Sequence, residues 1–258
     1  MKAIDLAGRT ALVLGVANQR SLAWAIAESL GAAGAQLAFT YQGERLQKNV
    51  QALAEQFPTA PVMACDVSSE EQVDGVFARL ERDFGRLDIL VHSIAFAPRE
   101  ALEGDFLHTS LESWRIALEI SAYSFVHLAR CALPLMEEKG GSMLALTYLA
   151  SQRVVPKYNV MGAAKAALEH GVRQLAAELG PRNIRVNAIS AGPVPTLSAR
   201  GISGFSNMTA HHREKAPLGR NIEAREVGDA ALILCGDMAS GVTGEILFVD
   251  AGYNIMAI

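Results

Sequence analysis

Short runs of β-branched and leucine side chains alternate along this chain with longer stretches of helical period, and that alternation limits the fold more than any other feature. Residues 10–14, 36–40, 62–64, 87–92, 142–147, 184–188 and 246–249 read as strands. Residues 21–33, 43–56, 69–84, 111–138, 160–179 and 223–237 read as amphipathic helices. Strands separated by helices need right-handed crossovers, which give a doubly wound parallel sheet of about seven strands covered on both faces, a Rossmann-like α/β fold. Local punctuation agrees: Ser68-Ser69-Glu70-Glu71 resembles a capping box, Gly85 closes that helix, and Gly180-Pro181 stops the helix before Ile184. The exception is 197–217, where Gly201, Gly204 and Pro217 stand among Ile202, Phe205 and Met208. A long irregular stretch inside a compact fold reads as a functional flap. The expectation is one dinucleotide-binding and catalytic domain over residues 1–258, with that flap.

Composition narrows the function. Half of the 258 residues are hydrophobic and only 19% are charged, against about 25% in an ordinary soluble chain. The shortfall implies extra buried surface, in a parallel sheet or between subunits. A net charge of −4 lacks the basic footprint of a nucleic-acid binder. By this reading no apolar run approaches the roughly 18 residues that cross a bilayer, and the N-terminus shows no leader pattern, so no membrane is expected. Cys65, Cys131 and Cys235 are too scattered for a disulfide framework, and the expected location is cytoplasmic. No metal is expected, because the histidines lack ligand spacing and His211 and His212 are adjacent on a helix.

The first strand runs into Gly15, and Ser21 and Leu22 open the next helix. In a doubly wound sheet this turn sets a pyrophosphate on a helix N-terminus, whose N–H groups and positive dipole end attract anions. Gly15 permits a tight turn; Ser21 can cap the helix and offer its hydroxyl to phosphate. The run is not the usual triple-glycine fingerprint, so a plain capped β–α turn remains open. Strand two ends beside Gln42, strand three beside Asp66 and Val67, and strand four beside Ser93 and Ile94, all at the carboxyl edge where such sheets bind ligands. Gln42 suits a ribose 2′-hydroxyl and no basic pair stands there for a 2′-phosphate, which favours NADH over NADPH. Asp66 suits the adenine amino group or a helix cap. Tyr158 and Lys165, seven apart, would share a face on a continuous helix. They are either chemistry or a packed ring and a solvated amine.

Together, Gly15-x5-Ser21, Phe39-Thr40-Tyr41, Cys65-Asp66-Val67, Ser93-Ile94-Ala95-Phe96-Ala97-Pro98, Tyr158-x6-Lys165 and Arg185 through Pro193 resemble the NADH-dependent enoyl-[acyl-carrier-protein] reductases. These are a divergent branch of the short-chain dehydrogenase/reductase superfamily. The resemblance spans nearly the whole chain. Ordinary superfamily members carry a Tyr four residues before the Lys and a Ser thirteen before that Tyr. Those positions here are Met161 and Tyr148, a substitution that separates reduction of a C=C bond from reduction of a carbonyl.

The resemblance implies hydride attack from nicotinamide on the β-carbon of an enoyl thioester, which builds negative charge on the thioester oxygen. Tyr158 is then the hydrogen-bond donor to that oxygen and Lys165 holds the nicotinamide ribose. Tyr148 joins the catalytic set as a pocket wall, an orienting group or part of a proton path. Val194 and Thr196 reach the carboxamide and pyrophosphate, and Ser93 and Ile94 line the middle of the dinucleotide. Ala97 touches the acyl group, and Ile202, Phe205 and Met208 cover its chain unless they are ordinary helix packing. Ala95 stands where many relatives carry Gly, and Ser203, Ser206 and Asn207 where some carry basic residues. Implied partners are an acyl carrier protein bearing the substrate and a homotetramer, with helices 111–138 and 160–179 pairing through Phe125, Val126, Leu128, Leu168, Val172 and Leu175. A carbonyl-reducing superfamily member and a non-catalytic dinucleotide sensor are the rival readings.

Overall fold

Leu12 and Leu14 enter one hydrophobic core while Ala11 and Val13, between and beside them, enter another. Burial on both faces of the sheet is why its strands read as unbroken apolar runs. The computed structural model describes residues 4–197 and 204–257. In order these form β1 (Thr10–Leu14), α1 (Leu22–Ala32), β2 (Gln36–Tyr41), α2 (Glu44–Ala54), β3 (Val62–Ala64), α3 (Glu70–Phe84), β4 (Ile89–His92), α4 (Arg99–Glu103), α5 (Leu111–Leu118), α6 (Ser124–Met136), β5 (Gly141–Thr147), α7 (Val160–Leu179), β6 (Ile184–Ala191), α8 (Phe205–Lys215), α9 (Ala224–Cys235) and β7 (Ile246–Val249). The seven strands run β3-β2-β1-β4-β5-β6-β7, each pair parallel. The order reverses between β1 and β4, where Leu14 stands opposite His92, and that reversal opens the crevice at the carboxyl edge.

One core gathers Trp24, Ile26 and Leu30 of α1, Phe39 of β2, and Val227 and Leu234 of α9. The other gathers Val73, Phe77 and Leu80 of α3, Phe125 and Leu128 of α6, and Leu168 and Val172 of α7. Each such side chain contributes about 1.5–3 kcal/mol when fully buried. Phe125, Leu128, Leu168 and Val172 are therefore spent inside the chain, which corrects their expected role in pairing subunits. Val126, on the same helix, is 38% exposed.

Three further expectations change. The expected helix 111–138 is α5 and α6 joined by a π-helical turn, Glu119–Tyr123. Over Leu111–Met136 this is one helix of 26 residues, long and apolar enough by length and composition to cross a membrane. This corrects the expectation that no apolar run is so long; the buried side of the helix is occupied by the second core. The supposedly irregular 197–217 contains α8, which buries only His212 among its side chains and so leaves little helical pattern to read. Ser69 accepts from the Gln72 amide at 3.3 Å, but the Gln72 side chain turns to the Asp66 amide at 2.8 Å instead of completing a capping box. The complete box is at Glu223 and Glu226 of α9. Gly85 closes α3 with bonds to Leu80 and Glu81, as its position in the sequence implied.

Candidate active site

The β1–α1 turn is pressed against the end of β4. Gly15 has φ +95°, and a Cβ built on it would lie 2.0 Å from the Ser93 carbonyl oxygen. Only a glycine leaves the crevice this narrow wall with room for a ligand's backbone-hugging group. Ser21 occupies the N-cap position of α1 but makes no cap bond to the helix. Its hydroxyl instead accepts from the amides of Ala17 (3.1 Å) and Asn18 (3.0 Å) and donates to the Asn18 carbonyl. The expected capping role is thus replaced by shaping of the loop, and the α1 entrance is not closed by a serine side chain. Leu22 packs on the first core behind it.

At the β2 and β3 edge, Gln42 Nε2 donates to Asp66 Oδ2 at 3.0 Å. Asp66 Oδ1 accepts from the Ser68 amide and hydroxyl at 3.0 and 2.6 Å. Partial burial pushes the Asp66 carboxyl up, but these bonds from Ser68 and Gln42 hold it below the usual carboxylate range. Tyr41, Gln42, Gly43, Arg45, Asp66 and Gln72 line a cleft of about 690 Å³. The two residues expected to read adenosine are therefore together, bonded to one another. Val67 and Ile94 pack against the second core.

Two of the three catalytic candidates, Tyr148 and Tyr158, lie together. The Tyr148 and Tyr158 rings lie 5.0 Å apart at 60°, and the Tyr148 hydroxyl donates to Met208 Sδ at 3.4 Å, which brings α8 over the pair. Tyr158 packs in an apolar cluster with Ala97, Ala101, Trp114, Val160 and Met161. Tyr158 is not on the helix that carries Lys165: α7 begins at Val160, and Lys157 and Asn159 on either side of the tyrosine have φ of 65° and 40°. The shared-helix-face argument is corrected accordingly. Lys165 is 4% exposed and its Nζ donates to the Leu146 carbonyl at 2.7 Å. Val194 packs on the first core, and its carbonyl accepts from the Thr196 amide at 2.7 Å. Phe205 is half-buried at the start of α8, while Ile202 lies outside the described residues.

Burial, then the neighbouring Tyr148, raises the Tyr158 phenol far above its ordinary range. Tyr148 is pushed to about 12 by burial, then by Tyr253 and Asp250. Both phenols keep their hydrogens at neutral pH. Burial pulls Lys165 down to about 8 while Glu169 pulls it up, so it is a cation at neutral pH. Met161, where an ordinary short-chain dehydrogenase has its tyrosine, is a buried thioether with no hydrogen to give.

Several supporting residues were missed in the sequence. Glu169, 3% exposed, accepts from the Thr147 hydroxyl at 2.8 Å one turn beyond Lys165. Its lysine-to-glutamate spacing of four could have flagged it. Ser121 on the π-turn accepts from the Phe96 amide (3.0 Å) and donates to the Phe96 carbonyl (3.1 Å), pinning the loop after β4. Ser124 donates to the Ile120 carbonyl, so the His92 Nε2 that meets its oxygen at 2.8 Å carries the hydrogen. Burial, then the Lys165 charge, lowers His92 to about 3 and keeps it neutral. A π-turn bearing Ser121, with Ser124 at the start of the helix that follows it, is not readable from apolar spacing. Cys65 and Cys235, each pushed to about 12 chiefly by burial, are thiols with no nucleophilic character.

The family described as Enoyl-(Acyl carrier protein) reductase matches residues 15–254 of this sequence. The enoyl-[acyl-carrier-protein] reductase [NADH] FabI of Nostoc sp. is 49% identical over 98% of this chain and 99% of its own length. The chain belongs to the NADH-dependent enoyl-[acyl-carrier-protein] reductases. The crystal structure of the Bacillus cereus enoyl-acyl carrier protein reductase with NADP+ and indole naphthyridinone superposes with a TM-score of 0.96. It is 48% identical and covers 99% of this reductase and 100% of its own chain. The Anaplasma phagocytophilum reductase in complex with NAD superposes at 0.95 with 45% identity, covering 100% and 98% of the two chains. The seven-stranded sheet, the Gly15 wall and the buried lysine of this reductase fit a dinucleotide laid across the switch point.

Proposed function

We propose that this reductase uses NADH to saturate the trans-2 double bond of enoyl-[acyl-carrier-protein] thioesters in fatty-acid elongation, with Tyr158 as the donor to the developing enolate oxygen. When bound, NADH supplies the hydride that goes to the β-carbon. The protein's part is to stabilise the electron pair displaced onto the thioester oxygen. The carrying observation is the Tyr158 phenol, held proton-bearing beside Tyr148 with Met161 in the place where a carbonyl reductase needs its tyrosine. Removing one such donor typically costs about 3–4 kcal/mol of transition-state stabilisation, roughly 10²–10³ in rate.

Lys165 holds the nicotinamide ribose. Gly15, Ser21 and Leu22 bring the pyrophosphate to the α1 entrance, while Gln42, Asp66 and Val67 receive adenosine by exchanging the Gln42–Asp66 bond for bonds to the ligand. Ser93, Ile94, Val194 and Thr196 take the middle and nicotinamide portions. Ala97, Tyr148, Phe205, Met208 and Ile202 form the acyl pocket under a flap at about 197–217, and the contact between Tyr148 and Met208 supports that flap. Residues 1–258 act as one domain. The substrate arrives on an acyl carrier protein in the cytoplasm, and the active form is a homotetramer. Exposed Tyr123 and Val126 on the Leu111–Met136 helix support a subunit face there.

The test follows NADH absorbance with a short trans-2-enoyl thioester. The parent oxidises NADH, and Tyr158→Phe lowers kcat by about 10²-fold with NADH affinity little changed. Equal turnover in the variant removes Tyr158 from the oxyanion role; binding of NADH with no oxidation in the parent removes the enzyme reading.

A further inference from the structure

The backbone around Tyr158 is held by its neighbours in an unusual way. Asn159 has φ 40° and ψ −123°, and the Met161 amide donates to the Tyr158 carbonyl at 3.0 Å. These are the marks of a type II′ turn, whose first central position normally takes glycine. Lys157 on the other side is also left-handed. Non-glycine residues in such conformations are strained and persist only where surroundings over-determine them.

What over-determines this turn is α4. Asn159 Nδ2 donates to the carbonyls of Gly104 (2.8 Å), Ala101 (3.2 Å) and Leu102 (3.4 Å). Lys157 Nζ reaches the Glu103 carbonyl at 3.4 Å. The last carbonyls of a helix lack partners within it, so the two residues flanking Tyr158 together cap α4. That helix follows directly from the loop holding Ser93, Ile94 and Ala97, which Ser121 pins at Phe96.

We propose that Asn159 is a positioning residue for Tyr158: its amide clamps the end of α4 to the strained turn and so fixes the phenol relative to the loop that faces nicotinamide and acyl group. The inference rests on the oxyanion reading of Tyr158. It concerns how the donor is aimed and assigns Asn159 no contact with substrate.

The test uses Asn159→Gly, which accepts the left-handed backbone without strain and removes only the amide, and Asn159→Asp, which keeps the shape but turns a donor into an acceptor facing carbonyls. Steady-state kcat and NADH KM are measured for each, alone and combined with Tyr158→Phe. Misplacing a reacting group by an ångström costs up to about 10²-fold in rate. Each Asn159 variant is expected to lose about tenfold or more in kcat with NADH KM unchanged within about twofold, and to lose nothing further in the Tyr158→Phe background. Parental kcat in Asn159→Gly overturns the inference, and so does an equal loss in both backgrounds, which marks a merely structural residue. Parental turnover in Tyr158→Phe alone instead refutes the oxyanion reading and removes the basis of the inference.

Discussion

Gly15→Ala separates a backbone demand from a packing demand at the mouth of the cofactor crevice. A non-glycine residue at the left-handed φ of +95° costs about 1–2 kcal/mol. The added Cβ would also sit 2.0 Å from the Ser93 carbonyl oxygen, a backbone atom that cannot rotate away. Forcing a methyl into such a contact costs about 1–3 kcal/mol more as the two loops separate. The sum, about 2–5 kcal/mol, lowers Tm by on the order of 10 °C in a domain of this size. Gly8 supplies the control, with φ +75° and nothing within 4 Å of a built Cβ. Gly8→Ala therefore carries the strain alone, about 1–2 kcal/mol. Differential scanning calorimetry and NADH titration read both variants. Gly15→Ala is expected to melt clearly below Gly8→Ala and to bind NADH more weakly, while Gly8→Ala binds as the parent does. Equal melting temperatures, or parental NADH affinity in Gly15→Ala, would refute the claim that the β1–α1 turn and the Ser93 loop meet with no space between them.

Other expectations concern the buried charges. Lys165→Ala should weaken NADH binding in a fluorescence titration; unchanged affinity counts against the ribose contact. In the parent, NADH affinity should hold at neutral pH and fall as pH rises through about 8, the value to which burial lowers Lys165. For stability the sign is opposite: between about 8 and 10.5 the unfolded chain binds the proton that the folded chain has lost, so this lysine makes stability rise with pH there. Lys165→Met should flatten that rise in urea denaturations at pH 8 and 10. Glu169→Ala strands the buried Thr147 hydroxyl and leaves Lys165 without its nearby carboxylate, and should cost about 1–3 kcal/mol by the same denaturation assay. A sedimentation experiment showing a monomer would exclude the homotetramer.

The strands and their assembly into a parallel sheet were legible because both faces are buried: Leu12 and Leu14 on one side, Ala11 and Val13 on the other, leave no polar alternation to confuse. Helix ends were legible where one residue dictates them, as Gly85 does for α3. The places of Gly15, Asp66 and Ser93 at the sheet's carboxyl edge were legible because each follows the end of a strand. The site was not legible where the local conformation defies propensity. Nothing in Lys157-Tyr158-Asn159 announces two left-handed residues, and so the tyrosine read as helical. The Ser21 hydroxyl chose loop amides over the helix it precedes, a competition between near-equal hydrogen bonds. Helix α8 escaped notice because it buries so little of itself, and the π-turn because its extra residue breaks the period on which such reading depends.

The account stands or falls on where one hydroxyl points once both ligands are in place. A crystal structure of the enzyme with oxidised dinucleotide and a trans-2-enoyl thioester measures it directly. The Tyr158 hydroxyl oxygen is expected within about 2.6–3.2 Å of the thioester oxygen, with the nicotinamide ring over the β-carbon. A Tyr158 ring turned away from that oxygen, in a complex where the thioester is otherwise well seated, would contradict it.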